Sequence, residues 1–159
     1  MACLISTNRK PSLTTRRLVR QTAGMLPGSE YQPRGKSSIE NLAERARAKG
    51  LSSLVLFYEQ KGNPSRIEFI RVSPTGWEWD PTVLLVKNVK LQAEKTRNGE
   101  EGVAVDGEFC ELFSPEIFED SEFKFTANSS RMSFMKGREI VGPIILISKV
   151  MTHEAGSED

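Results

Sequence analysis

The side chains in this sequence best suited to chemistry are cations, and they come early. Arg9 and Lys10 follow a short apolar run, Arg16, Arg17 and Arg20 share one helical pattern, and Arg34, Lys36, Lys61 and Arg66 come from later turns and strands. The planar fork of arginine can bond two phosphate oxygens, and cations spread over several elements can track a phosphate backbone. Ser12 joins the set as a helix cap, because the N–H groups at a helix start favour an anion. The candidate polyanion-binding residues are therefore Arg9, Lys10, Ser12, Arg16, Arg17, Arg20, Arg34, Lys36, Lys61 and Arg66. Tyr31, Trp77 and Trp79 are either stacking platforms for unpaired bases or core residues, and Phe57 and Phe69 read as core.

Other chemistries are weaker than their plain alternatives. Arg34-Gly35-Lys36-Ser37 imitates the end of a phosphate-binding loop, but that loop needs glycine where Glu30 stands, and Pro33 stiffens the backbone. A nucleophilic triad would have to recruit His153, the only histidine, from the tail. Glu116, Glu119, Asp120 and Glu122 are better explained by a helix start and by solvation than as a carboxylate pair. Cys3 and Cys110 are too few for a cysteine-rich zinc site and read as small buried residues. No catalytic residue, metal site, cofactor or small-molecule substrate is expected.

The elements that must position the cations follow from periodicity. Leu4 and Ile5 read as a strand, and Leu18, Val19, Thr22, Met25 and Leu26 share one side of a helix whose other side carries Arg16, Arg17 and Arg20. Ser12 or a neighbouring threonine caps that helix, Pro11 suits its first turn, and the pattern ends near residues 24–28. A short edge strand is expected at residues 30–34. A helix follows, with Ser37 and Glu40 at capping-box spacing, Ile39, Leu42, Ala43 and Ala46 on its apolar face, and Gly50 as its stop. Residues 54–58 read as a central strand, and Gly62-Asn63-Pro64 turns into a strand at 66–72. After a turn at 73–76 come Trp77 and Trp79 and a further strand at 83–91, and the polar segment 95–102 is the expected boundary.

Beyond it, residues 103–113 read as extended, Ser114-Pro115-Glu116 as a helix start, and Phe123 and Phe125 as a strand. Two strand-like runs then meet around Gly142-Pro143, the second with Ile144 to Ile147 buried. Strand, helix, strand, helix, strand makes an α/β layer. In such a layer the turn after the first strand and the loop before the second helix open on the same edge, so Arg9, Lys10, Arg34 and Lys36 are expected to converge.

A chain of 159 residues forms one ordinary domain, or two small halves sharing a core. Hydrophobic residues at 38% and charged residues at 27% describe a soluble globular protein, and no apolar run approaches the ~20 residues that span a bilayer. Leu4 and Ile5 pass at once into polar and basic residues, unlike a signal peptide, so a cytoplasmic location is expected. The net charge of +1 conceals an asymmetry: residues 1–71 hold 13 Lys and Arg against 5 Asp and Glu, and residues 72–159 hold 9 against 16. A polyanion would be drawn to the first part and repelled by the second, unless folding intermixes the two.

Arg9-Lys10-Pro11-Ser12 after a short strand, Leu26-Pro27, Arg34-Gly35, Gly62-Asn63-Pro64 before a strand, and Gly142-Pro143 together resemble the Brix-domain family of ribosome-biogenesis proteins. The matches run in family order over residues 4–150, strongest in the first half, and the short chain is similar to the archaeal stand-alone members. Asn8 stands where the family more often has serine.

The resemblance implies an α/β fold of two similar α/β half-domains in one compact unit, each resembling the anticodon-binding domain of class IIa aminoacyl-tRNA synthetases. The halves would be residues 1–92 and 103–151, with 152–159 a disordered acidic tail. It further implies a non-catalytic factor that binds precursor ribosomal RNA and assists rRNA processing and subunit assembly, with ribosomal or assembly proteins as further partners and no membrane. A scaffold whose acidic half docks a basic ribosomal protein is the alternative.

Overall fold

Two parallel strands with a helical excursion between them begin one large twisted sheet. The structure is a computed structural model and describes residues 1–93 and 97–152. Strand β1 (Cys3–Thr7) leads into helix α1 (Leu13–Met25), a short strand β2 (Glu30–Tyr31), helix α2 (Ile39–Ala48) and strand β3 (Ser53–Gln60). β4 (Asn63–Ser73) and β5 (Gly76–Lys90) extend the sheet as an antiparallel meander. β6 (Ala104–Asp106), a 3-10 turn at Cys110–Phe113, β7 (Phe123–Ala127), β8 (Arg131–Lys136), β9 (Glu139–Ile140) and β10 (Ile144–Thr152) complete it.

The strand order is β2-β1-β3-β4-β5-β10-β8-β7-β6, with β9 on β8. This is a mixed α/β fold with two α-helices among the described residues. On one side of the β5–β10 seam β1, β3, β4 and β5 pair parallel, antiparallel, antiparallel. On the other side β6, β7, β8 and β10 pair in the same three senses.

Period-two alternation along β1 and β3 feeds two cores. Cys3, Ile5, Val55 and Phe57 face α1, while Leu4, Leu54, Leu56 and Tyr58 face α2. β1 and β3 are buried on both faces, which is why residues 54–58 read as an unbroken apolar run. The α1 face also receives the later strands. Phe69 of β4 meets Phe113 edge-on at 5.2 Å, Phe113 meets Phe125 edge-on at 5.3 Å, and Phe125 stacks on Phe134 at 4.8 Å. This row of rings joins residues on both sides of the seam into one core. The α2 core contains residues of the first 79 positions alone among the described residues.

Several elements fall differently from their expected places, each for a local reason. Ser12 caps α1 through its Oγ, which accepts the Thr15 N–H, so Pro11 lies before the cap and not in the first turn. Ser38, not Ser37, caps α2, because Ser37 closes a turn back to Arg34. The hairpin tip is Lys61-Gly62, both with positive φ, as a two-residue turn requires. Asn63 and Pro64 are already strand, with Pro64 at a register irregularity that spares it a ladder bond.

Trp77, Trp79 and residues 83–90 belong to one long strand, interrupted opposite Phe69, where Asp80 accepts the Thr82 N–H at 2.9 Å. Ser114-Pro115-Glu116 starts no helix. Ser114 has φ 46°, its carbonyl accepts the Ala2 N–H, and Glu116 to Phe118 run alongside Val103. Only part of residues 103–113 is extended, since Cys110–Phe113 form the 3-10 turn. Along β10 Ile145 and Ile147 are buried but Leu146 is 38% exposed, so this strand has a solvated face. The expected tail lies outside the described residues from 153 onward. Lys95 and Thr96 of the expected boundary loop do so too, while Arg97 to Gly102 are irregular and anchored by Asn98 on Gly24 and Met25.

Phe113 is fully buried between two rings. Phe113→Ala is expected to cost about 3–5 kcal/mol. Urea unfolding followed by near-UV and far-UV circular dichroism should show one shifted transition by both probes, because the cavity opens in the core both sides share.

Candidate nucleic-acid interface

The carboxyl ends of β1 and β3 point the same way, and the basic turn, the loop before α2 and the β3–β4 hairpin all emerge there. Arg9 and Lys10 are exposed in the turn, with Lys10 in the left-handed region at φ 55°. Lys36 is exposed in the loop before α2 and Lys61 at the hairpin tip. α1 starts at the same edge and carries Arg16, Arg17 and Arg20 on its solvent face, opposite the buried Thr15, Leu18, Val19, Thr22 and Met25. None of these seven cations is in an ion pair among the described residues.

Arg34 and Arg66 leave the exposed set. Arg34 is 1% exposed: its Nε donates to the Ser37 carbonyl at 2.7 Å and its Nη1 to the Thr7 carbonyl at 2.9 Å. The Ser6 hydroxyl also donates to Gln32, so the loop before α2 is laced onto the end of β1. The loop and the turn do meet at one edge, but Arg34 is the fastener and offers no exposed charge. Arg66 is bound to Glu68 at 2.6 Å and lies over the Tyr58 ring at 4.2 Å from its centroid. Both partners lie on the α2 side of the sheet.

Ser12 keeps its capping role, yet the anion at the start of α1 is the protein's own. Glu59, near the end of β3, accepts the Ser12 N–H at 2.8 Å and the Thr15 hydroxyl at 2.5 Å, and Asn8 donates to its other oxygen at 3.4 Å. Burial pushes the Glu59 carboxyl up, but the hydrogen bonds from Ser12, Thr15 and Asn8 outweigh it and hold the group below the ordinary carboxylate value. Glu59 was not singled out by pattern. The signal was available only in three dimensions: the parallel register pairs Thr7 with Phe57, which sets Glu59 beside the turn that follows β1.

Arg97 was also missed, since it lies in a polar loop without periodicity. It joins Arg17, Arg20, Gln21, Ser29 and Tyr31 around a cleft of about 500 Å³ between α1, the edge strand β2 and the loop after β5. Tyr31 is half-buried, with the Arg20 guanidinium 5.3 Å from its ring centroid. Of the other aromatic candidates, Trp79 is core and Trp77 packs against the α2 core. Cys3 is buried and its thiol is pushed up to about 12, opposed only by a bond from Ser29, and burial raises Cys110 as well. Neither is a ready nucleophile. Among the described residues no group of three or more His, Cys, Asp or Glu could hold a metal ion, and no helix is long and apolar enough to cross a membrane.

No family model matches the chain. Over 91 residues, 57% of its length, it is 35% identical to a probable Brix domain-containing ribosomal biogenesis protein of Pyrococcus horikoshii and 34% identical to one of Pyrobaculum aerophilum. These relatives are archaeal proteins named as probable Brix domain-containing ribosomal biogenesis proteins. The chain spans 40% of the length of the Pyrococcus relative and 49% of the Pyrobaculum one. Among solved structures it resembles a probable ribosomal biogenesis protein from Aeropyrum pernix K1, with TM-score 0.78 and 24% identity over 96% of this chain and 99% of that one. It also resembles Mil, an archaeal Imp4-like protein, with TM-score 0.67 and 25% identity over 95% and 99%. The large mixed sheet with two helices is thus a fold shared with these two archaeal structures.

The lowered Glu59 carboxyl sets a pH window. A depressed folded-state value stabilises the native protein above the unfolded value and loses that stabilisation as pH falls through the folded one. Glu59→Gln is expected to lower stability by about 1–2 kcal/mol at pH 7, a modest figure because the site is partly open to water. Urea titrations at pH 7 and pH 3 should find the gap between variant and parent narrowing at the acid end.

Proposed function

We propose that the chain is a non-catalytic RNA-binding factor of ribosome biogenesis, gripping precursor ribosomal RNA by the basic surface of its first half. The observation that carries this is the set of seven exposed cations, none in an ion pair among the described residues, on one edge of the sheet and along α1: Arg9, Lys10, Arg16, Arg17, Arg20, Lys36 and Lys61. They come from three connections and one helix, so folding alone gathers them. The Brix-domain relatives, named as ribosomal biogenesis proteins, support the process; the charge distribution supports the ligand. On this reading the protein works in the cytoplasm, where it holds an RNA segment in a form that processing and assembly can use.

We also propose that residues 1–92 and 103–151 are two halves of one unit. Support comes from the matching strand senses on either side of the β5–β10 seam. Between β6 and β7, where the first half has α1, β2 and α2 between β1 and β3, the second has a 3-10 turn of four residues. If both halves descend from an anticodon-binding type of domain, the second kept the sheet and lost the helices that carry the cations.

A second reading rests on Ile117 and Phe118, which are 55% and 46% exposed beside Glu116, Glu119 and Asp120. An apolar pair framed by acids suits a basic ribosomal protein. Such a partner would remain bound after ribonuclease digestion and would be released by Phe118→Asp.

The RNA reading is tested by salt. Six phosphate contacts on a single strand give a slope of about −4 in log affinity against log salt, hence a roughly 300-fold loss between 50 and 200 mM. The paired change of Arg16→Gln and Arg17→Gln should weaken all sequences alike and flatten the slope by about 1.4. Fluorescence anisotropy with labelled RNA measures both, and salt-independent binding would overturn the reading.

A further inference from the structure

Beyond the charged edge, the cleft beside α1 combines what a phosphate needs with what a base needs. Its walls bring Arg17, Arg20 and Arg97 together with the ring of Tyr31, and its volume of about 500 Å³ lies within the ~300–1,000 Å³ usual for small-ligand sites. The walls are tied in place. The Gln21 side chain donates to the Gln92 carbonyl at 2.8 Å and accepts the Gln92 N–H at 3.0 Å, while the Asn98 N–H donates to Gly24 at 2.9 Å. Gln92 and Asn98 are therefore held against α1 without any ligand. Glu30 lies at its rim, but Lys49 binds that carboxylate at 2.9 Å. Arg17 and Arg97 have no ion pair among the described residues. The Arg20 guanidinium lies over the Tyr31 ring, 5.3 Å from its centroid, so cation and ring stand together in the wall.

We propose that this cleft takes one nucleotide of a single strand, its base stacked on the Tyr31–Arg20 pair and its flanking phosphates held by Arg17 and Arg97. The assignment rests on the RNA reading of the charged edge, with Arg16 and Arg17 on α1 linking the edge to the cleft. An unpaired base offers its face to such a platform, whereas a base stacked inside a duplex does not. The cleft thus selects single-stranded segments, and does so without reading sequence.

The test uses the full chain with a labelled ten-nucleotide oligouridylate and a ten-base-pair RNA duplex at one salt concentration. Tyr31→Leu is expected to weaken the single strand roughly 5- to 100-fold and to leave the duplex unchanged, while Tyr31→Phe stays close to the parent. Equal loss on both RNAs, or no loss on either, overturns the nucleotide site. Should Tyr31→Leu fail to fold, the unaltered chain is compared on the oligouridylate and on a ten-unit abasic strand of the same charge. Weaker binding of the abasic strand supports the site, and equal binding overturns it. If the unaltered chain binds neither the oligouridylate nor the duplex, the charged-edge reading fails and the cleft falls with it. If it binds both but Tyr31 is indifferent, the cleft alone fails.

Discussion

The carboxylate of Glu59 at the start of α1 is the contact on which the geometry of the basic edge depends. The N-terminus of a helix concentrates unpaired N–H groups and a partial positive charge, and α1 has no acid in its own first turn. Glu59 supplies the compensating negative charge from the end of β3, binding Ser12 and Thr15 at once. One side chain thereby fixes the distance between a central strand and the helix, and fixes the path of the turn carrying Arg9 and Lys10. It also decides what kind of anion site this edge can be. With Glu59 seated on Ser12 and Thr15 at the helix end, external anions there meet side-chain cations before backbone amides.

A second internal charge closes the other side of the edge. Arg34 spends its guanidinium on two backbone carbonyls, Thr7 at the end of β1 and Ser37 just before α2. The Thr7 carbonyl is buried, where an acceptor left without a partner costs about 1–3 kcal/mol. Lys36, two residues along, is exposed because Arg34 is not: the turn from Arg34 to Ser37 folds the arginine inward and carries the lysine outward. Two basic residues in one short motif therefore have opposite uses, one binding the protein to itself and the other left for solvent or a ligand.

Element order was legible because the pattern was local. The helical apolar faces of α1 and α2, the unbroken run in β3 and the alternation in β7 are periodicities within a single segment, and all four were read correctly. Elsewhere a distant contact overrules the local preference. Ser114-Pro115-Glu116 has good helix-start chemistry, yet the Ser114 carbonyl is claimed by Ala2 and the following residues by Val103. Residues 144–147 form an apolar run, but β10 has a solvated face, so Leu146 is exposed. The candidate site divided in the same way. A charged residue's type says that it can meet a phosphate; whether it faces outward depends on neighbours far along the chain. Hence Arg34 turned inward and Arg66 is taken by Glu68, while Arg97, in a segment with no pattern, turned toward the cleft.

The contrast between the two helices gives the strongest physical reason to regard α1 as a ligand-binding surface. On α2 the cations are better placed: Arg47 binds Glu44 and the Pro74 carbonyl, Lys49 at the C-cap binds Glu30, and Arg45 and Arg47 fall in the last turn, where the dipole favours them. On α1 the arrangement works against the helix. Arg16 and Arg17 sit in the first half, near the positive end of the dipole, and Arg16 and Arg20 are four apart with like charge, a spacing that costs about 0.2–0.5 kcal/mol. Stability of the free protein would favour acids at those positions. A helix with uncompensated charge in its least favourable place becomes more stable when a polyanion lies along it, because the phosphates relieve the repulsion that folding left in place. Glu59 offsets the charge at the very first turn and no further, which leaves the exposed face of α1, from Arg16 to Arg20, open toward the cleft.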